Sequence, residues 1–361
     1  MSSEVAAPEL FYKLYGFILR VNLRLPGLTP YPSGSGQCGE LRAPTLDPEI
    51  TCQSTIRVEL HESSANIAPR FSETAIYVSE YIGDFGIPIL KIYDLGDGHP
   101  FQLCYDDGTE FLVTHDGCEI RGTWPPSMTF EDTVTYLVGP VMGFVLHLRG
   151  KLCLHASVVA LQNHAIVLLG AAGAGKSTIA ASFSRLGFPV LSDDVAVLDQ
   201  KDTKQGDLGH EYVVQPGYQR ICLTQEAAQS FYGARDALPT ITPNWEKRAL
   251  DLGHADAPFE TRPLPLGAIY LLGERLATRS TIEIEPLSPR ESLPELLAHT
   301  YVQYFLTPHQ RGAEFPATAR LAARVPVRRI HRPDGTGHMA DTCHRLAEDF
   351  AEILAPKSLD R

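Results

Sequence analysis

The sequence predicts an α/β protein in which a P-loop nucleotide-binding core follows a β-rich N-terminal region. Three observations predict it. An apolar run, Ala165 to Leu169, opens directly into a glycine loop that closes on Gly175-Lys176-Ser177. A second apolar run from Phe188 ends at the adjacent pair Asp193-Asp194, within one βαβ-sized unit. Upstream, short Val-, Ile- and Tyr-containing segments alternate with Gly, Pro and Asp turns, which reads as a strand meander. These place a β-rich region over residues 1–128 and the P-loop domain over 129–361.

In chain order, strands are expected over Tyr12 to Leu23, Ile56 to Leu60 and Ile87 to Tyr93. A hairpin flanks Asp106-Asp107-Gly108, and a turn at His115-Asp116-Gly117 carries the meander to Trp124. Pro26 to Thr51 is rich in Pro, Gly and Ser and reads as a loop. No internal repeat is evident. This region either recognises an acceptor or braces the core, and bracing is the more general reading because most added β layers carry no ligand. A helix begins near Thr129 with Glu131 in its first turn and bends near Pro140. Its apolar part, Tyr136 to Leu148, is too short to span a membrane. Leu152 to Leu161, LCLHASVVAL, is a strand with His155 near its start. A lone strand histidine is more often structural than catalytic.

Gly170, Ala171, Ala172, Gly173, Ala174, Gly175, Lys176, Ser177 and Thr178 form the loop, with Gly170, Gly175, Lys176 and Ser177 matching the phosphate-loop pattern. Backbone N–H groups can surround a phosphate chain only where no Cβ blocks the approach, hence the glycines. Lys176 reaches the β/γ-phosphates and Ser177 offers a hydroxyl to Mg²⁺. The helix starting there turns its positive dipole end toward the anion. It ends near Leu186, where Gly187 takes the left-handed cap. Beyond it, Asp193 and Asp194 stand at a strand end, where ligands bind in open α/β sheets. On an extended chain the two carboxylates point to opposite sides, so one can face Mg²⁺ while the other accepts a proton.

Downstream, Lys201 to His210 is a polar loop, and Tyr212 to Leu223, YVVQPGYQRICL, carries a Pro-Gly turn before Tyr218 and Arg220. Within Pro239 to Asp251, Lys247 and Arg248 could stabilise transferring phosphate charge, although a solvated loop pair is the favoured reading. Arg320, Arg324, Arg328, Arg329 and Arg332 cluster around the strand-like Val325 to Ile330; they could hold an acidic peptide tail or a phosphate, although such clusters are usually solvated. His338, Cys343 and His344 match no zinc spacing, and Thr342 to Leu354 reads as an amphipathic helix, so no structural metal is expected.

A chain of 361 residues suggests about two domains. The seven cysteines are scattered singly, as reduced cytosolic thiols would be, and no secretory signal opens the chain, so a cytoplasmic protein is expected. The net charge of -12 argues against nucleic-acid partners, which demand an excess of Lys and Arg.

His155, the phosphate loop and Asp193-Asp194 together resemble the HPr kinase/phosphorylase family, whose fold is a P-loop variant related to phosphoenolpyruvate carboxykinases. The resemblance implies Asp193 as general base at a serine hydroxyl, His155 as its orienting partner and Asp194, with Ser177, as Mg²⁺ ligand. It is strong over Lys151 to Asp199. Thr178 stands where the family usually has Glu, and no EIRG-type signature follows. Tyr15-Gly16-Phe17, Leu25-Pro26 and Pro216 to Arg220 are instead similar to HPr-kinase-like proteins encoded with peptide-maturation enzymes, including lasso peptide kinases. The resemblance thus implies an ATP- and Mg²⁺-dependent serine kinase acting on a peptide or small protein, foremost a ribosomal precursor peptide in lasso peptide biosynthesis. It leaves room for a homo-oligomer. The alternatives are an HPr kinase/phosphorylase proper, which the missing signature disfavours, and a non-catalytic nucleotide-binding regulator, which has less need of paired carboxylates.

Overall fold

The computed structural model describes residues 9–31, 54–63, 74–96, 98–201, 211–276, 280–305 and 308–355. Most of the expected Pro26 to Thr51 loop and all but one residue of the Lys201 to His210 loop lie outside that set. The chain is a mixed α/β protein of two compact units: Met1–Gly150 with Thr242–Asn244, and Lys151–Ile241 with Trp245–Arg361.

The first unit is built on one sheet. Its strands are β1 (Leu10–Leu14), β2 (Phe17–Val21), β3 (Thr55–Glu62), β4 (Tyr77–Val78), β5 (Leu90–Asp94), β6 (Phe101–Tyr105), β7 (Glu110–Val113) and β8 (Glu119–Trp124), in spatial order β1-β2-β3-β8-β7-β6-β5-β4. The single strand expected over Tyr12 to Leu23 is a hairpin, because Tyr15 and Gly16 turn the chain through positive φ. Alternation places Ile56, Val58 and Leu60 on the buried face of β3, as a half-buried strand requires. Two helices complete the unit, α1 (Phe130–Tyr136) and α2 (Met142–Leu148), joined across a kink at Gly139-Pro140. The expected start holds: Thr129 caps Asp132 N, and the Asp132 carboxylate accepts from the Thr129 backbone in return. Tyr136 Oη donates to Asp107, Tyr15 Oη donates to the Val138 carbonyl, and Asn244 Nδ2 donates to Asp132. The first two bonds tie the α1–α2 segment to this sheet, whereas the sequence reading put the boundary before it.

The second unit holds β9 (Leu152–Leu161), β10 (His164–Leu169), α3 (Lys176–Arg185), β11 (Val190–Ser192), β12 (Val195–Gln200), β13 (Tyr212–Gln215), β14 (Arg220–Leu223), α4 (Gln225–Tyr232), β15 (Arg248–Asp251), β16 (Leu264–Leu276), β17 (Glu283–Leu287), α5 (Pro289–Ala298), α6 (Pro308–Arg324), β18 (Val327–Pro333) and α7 (Met339–Leu354). Its main sheet runs β10-β9-β12-β13-β16-β18-β17; β11 also pairs with β9, and β10 with β16. The pairings β10–β16 and β16–β18 are parallel and the others antiparallel. From Ala165 to Leu169 strand β10 is apolar and buried, because both faces are covered. Ile166 and Leu168 join a core with Ile179, Phe183, Leu346 and Phe350 of α3 and α7. Ala165, Val167 and Leu169 face the opposite core, with Leu296 of α5 and Leu321 of α6. Strand β10 thereby lies between two cores, and the loop after it emerges where the parallel strands β10, β16 and β18 end.

One expectation about the thiols is corrected. Cys104, Cys153, Cys222 and Cys343 are free, but Cys118 is disulfide-bonded, so the cysteines are not all reduced.

Candidate active site

The loop from Gly170 to Gly175 joins β10 to α3, and Gly175 is the residue before the helix, at φ 96°. Gly173 is likewise left-handed, at φ 76°. Such conformations favour glycine and bring successive N–H groups around one concavity. Lys176 is buried. Its Nζ donates to the carbonyls of Gly170 at 2.7 Å and Ala171 at 3.2 Å, folding the side chain back across the loop. Burial lowers its pKa, with Asp194 and Asp193 opposing. The lysine is thus stationed among groups that value its charge.

The paired aspartates are not on an extended chain as expected. Asp194 adopts φ 75° and breaks the run between β11 and β12, so the carboxylates diverge through a kink rather than through strand alternation. Asp193 is only 4% exposed. It accepts from Ser157 Oγ at 2.5 Å and from the Cys222 backbone N–H at 3.0 Å, and Ser177 is close enough to help stabilise its charge. Burial raises its pKa, and these hydrogen bonds hold it down. The Asp194 side chain is 49% exposed. Its Oδ1 lies 3.2 Å from His155 Nδ1, and its Oδ2 accepts from Tyr301 Oη at 3.0 Å. The His155 pKa is lowered by burial, with Asp194 opposing.

The sequence-predicted residues Gly170 to Ser177, Asp193, Asp194 and His155 therefore converge on one end of the sheet. Thr178 lies one position further along α3.

Other residues join them that the sequence reading did not single out. Tyr301 arrives because residues 299–301 lie against β9: His155 N donates to His299 O, and Tyr301 N to Cys153 O. The tyrosine stacks on His155 with ring centroids 5.9 Å apart. Ser157 follows His155 by two positions on the strand and so shares its face, a periodicity signal that was available from sequence. The Pro216 to Leu223 segment passes alongside, with Gly217 N donating to Leu191 O and Cys222 N to Asp193. Within it, Arg220 stacks over Tyr218 and pairs with Asp251 rather than entering the site. Lys247, read as a solvated loop residue, is exposed, but its charge is felt at His155, Lys176 and Cys222.

The five C-terminal arginines do not form the cluster suggested by sequence. Arg324 pairs with Glu211, Arg328 with Asp349, and Arg329 with Glu295. Arg332 instead reaches the loop after β10, where its Nη2 donates to the Ala174 carbonyl.

The donor set fits Mg²⁺ held with a nucleotide. Ser177 and the two aspartates offer only oxygen, and Mg²⁺ takes few protein ligands beside phosphate and water. No group of three or more His, Cys, Asp or Glu among the described residues is arranged to hold a metal by itself.

No protein-family model and no curated protein matches the chain. Among solved structures, the HPr(Ser) kinase/phosphatase from Coxiella burnetii is a distant likeness over 55% of this chain and 98% of that one, at 13% identity and a TM-score of 0.27.

Proposed function

We propose that the second unit is an ATP- and Mg²⁺-dependent serine kinase of the HPr-kinase-like type, acting on a peptide or small protein and foremost on a ribosomal precursor peptide. The observation that carries this reading is the convergence of a phosphate loop, two differently placed carboxylates and a histidine at the end of β10. A pure nucleotide-binding module has no need of the second carboxylate or of the histidine.

In this reading the loop N–H groups and Lys176 hold the β- and γ-phosphates in line with the incoming hydroxyl. The serine oxygen forms a bond to the γ-phosphorus, the bond to the β–γ bridging oxygen breaks, and ADP leaves with that electron pair. The hydroxyl proton passes to an aspartate. Mg²⁺ bound with the nucleotide supplies neutralisation of charge on the phosphate oxygens. Most of the acceleration then comes from alignment and preorganised charge.

The resemblance assigns the proton to Asp193 and the metal to Asp194. A second reading, favoured by the hydrogen bonds, reverses them. Both Asp193 oxygens already accept hydrogen bonds, from Ser157 and the Cys222 backbone, and Ser177, the residue expected at the metal, is near enough to help stabilise the carboxylate. Asp194 is open to an incoming hydroxyl and is steadied by His155 and Tyr301. Geometry takes precedence over pKa in choosing a base.

Two variants separate the readings. Label transfer from γ-labelled ATP to serine peptides is expected to fall by about 10²–10⁴ in the variant that loses the base. If Asp194 is the base, Asp194→Asn keeps Mn²⁺·ATP affinity while Asp193→Asn loses it; the opposite pattern restores the first assignment. Undiminished transfer by both variants contradicts the kinase reading.

A further inference from the structure

Arg332 is 1% exposed, the most deeply enclosed charged side chain near the phosphate loop, and it was brought there by β18 rather than by any motif. One of its nitrogens, Nη2, is bonded to the Ala174 carbonyl. Its Nε and Nη1 are buried and have no hydrogen-bond partner. A guanidinium stays charged in proteins, and its fork is shaped for planar oxyanions. Burying such a group with two donors unmet is unfavourable unless an anion completes it.

Among the described residues no carboxylate is bonded to those two nitrogens of Arg332. Its cross-strand partner on β16 is another cation, Arg275, whose Nη2 donates to the Gly173 carbonyl at 3.1 Å. The nearby carboxylate, Asp334, is 3.4 Å from Arg275 Nη1. Burial and the Arg275 charge together bring the Arg332 pKa down to about 10. Two cations thus share one carboxylate beside consecutive residues of the loop. A Cβ on Gly175 would stand 2.7 Å from Arg332 Nη2, so the arginine lies against the turn from which α3 starts. The N-terminus of that helix already favours negative charge.

We infer that Arg332 is a phosphate ligand of this site, its unpaired Nε and Nη1 completed by the phosphate chain of the nucleotide held in the loop, with Arg275 positioning the same loop from the neighbouring strand. The inference rests on the nucleotide reading of the loop and deepens it, because it adds a buried cation from the far end of the chain. The rival is a brace: an arginine that ties β18 to the loop and never meets phosphate.

Calorimetric titration with Mg²⁺·ATP and, separately, with inorganic tripolyphosphate, which has no base or sugar, decides between them. Arg332→Gln is expected to weaken both ligands by the same factor, ten-fold or more. The melting temperature of the nucleotide-free Arg332→Gln protein is expected to be unchanged or higher, because an uncompensated buried charge has been removed. Arg332→Lys keeps the charge but loses the fork, and is expected to fall between Gln and wild type; it also serves if the Gln variant does not fold. Wild-type affinity in Arg332→Gln overturns the inference, as does a lowered nucleotide-free melting temperature with the ATP-induced rise intact. Arg332-dependent binding without label transfer contradicts the kinase reading alone. Transfer with Arg332-independent binding contradicts this inference alone.

Discussion

Gly175 carries two constraints at once. Its φ of 96° is left-handed, and an added Cβ would press on Arg332. Gly173 has the first constraint without the second, since the space around its missing Cβ is open. Gly175→Ala is therefore expected to cost about 1–3 kcal/mol in backbone strain and to weaken ATP binding further by displacing Arg332. Gly173→Ala should show the strain alone, and equal ATP affinities for the two variants would contradict the contact. At this scale the loop, Lys176, Ser177, both aspartates and His155 were legible in the sequence because each sits within a short motif. Tyr301 and Arg332 were not, since they reach the site from 107 and 158 residues away from their partners Asp194 and Ala174. Only strand pairing brings them in, and no local spacing records it.

At the scale of elements, the close approach of α7 to β16 decides what the strand can carry. Gly267 faces Phe350, and a Cβ there would overlap the aromatic ring. Gly267→Ala is expected to destabilise the second unit by about 1–3 kcal/mol through overpacking, measured by denaturant unfolding, while Phe350→Leu in the same chain recovers part of the loss. An additive double variant would show that the two do not meet. The strands β9 and β10, helix α3 and the cap at Thr129 were readable from apolar runs, glycine punctuation and capping residues. The kink at Asp194 was not, because an aspartate in left-handed backbone leaves the same letters as one in a strand. That kink matters to the site: it sends one carboxylate inward to Ser157 and the Cys222 backbone and leaves its neighbour beside His155 and Tyr301.

The chain forms two units, each with its own main sheet. In the first unit, burial raises the Glu110 carboxyl to about 6, with Gln102 opposing. A carboxylate whose folded pKa is raised contributes stability that is fully present below its unfolded value of 4.5 and is lost as pH rises through about 6. Glu110→Gln is expected to leave stability unchanged below pH 4.5 and to raise it by on the order of 1 kcal/mol above pH 6, seen as a higher melting temperature of the first-unit transition. A variant that is less stable at high pH contradicts that assignment. The mixed α/β class was legible, since alternation and βα punctuation point to sheets packed with helices. The grouping of α1 and α2 with the first sheet was not, because the bonds that fix it join Val138 to Tyr15 and Tyr136 to Asp107. The most direct test of the account is transfer of label from γ-labelled ATP to serine in a pool of precursor peptides, located by mass spectrometry. Phosphoserine formed by the wild type and abolished by Lys176→Ala is the predicted result. ATP binding that Lys176→Ala weakens, with no serine phosphorylated by the wild type in any peptide, would contradict it.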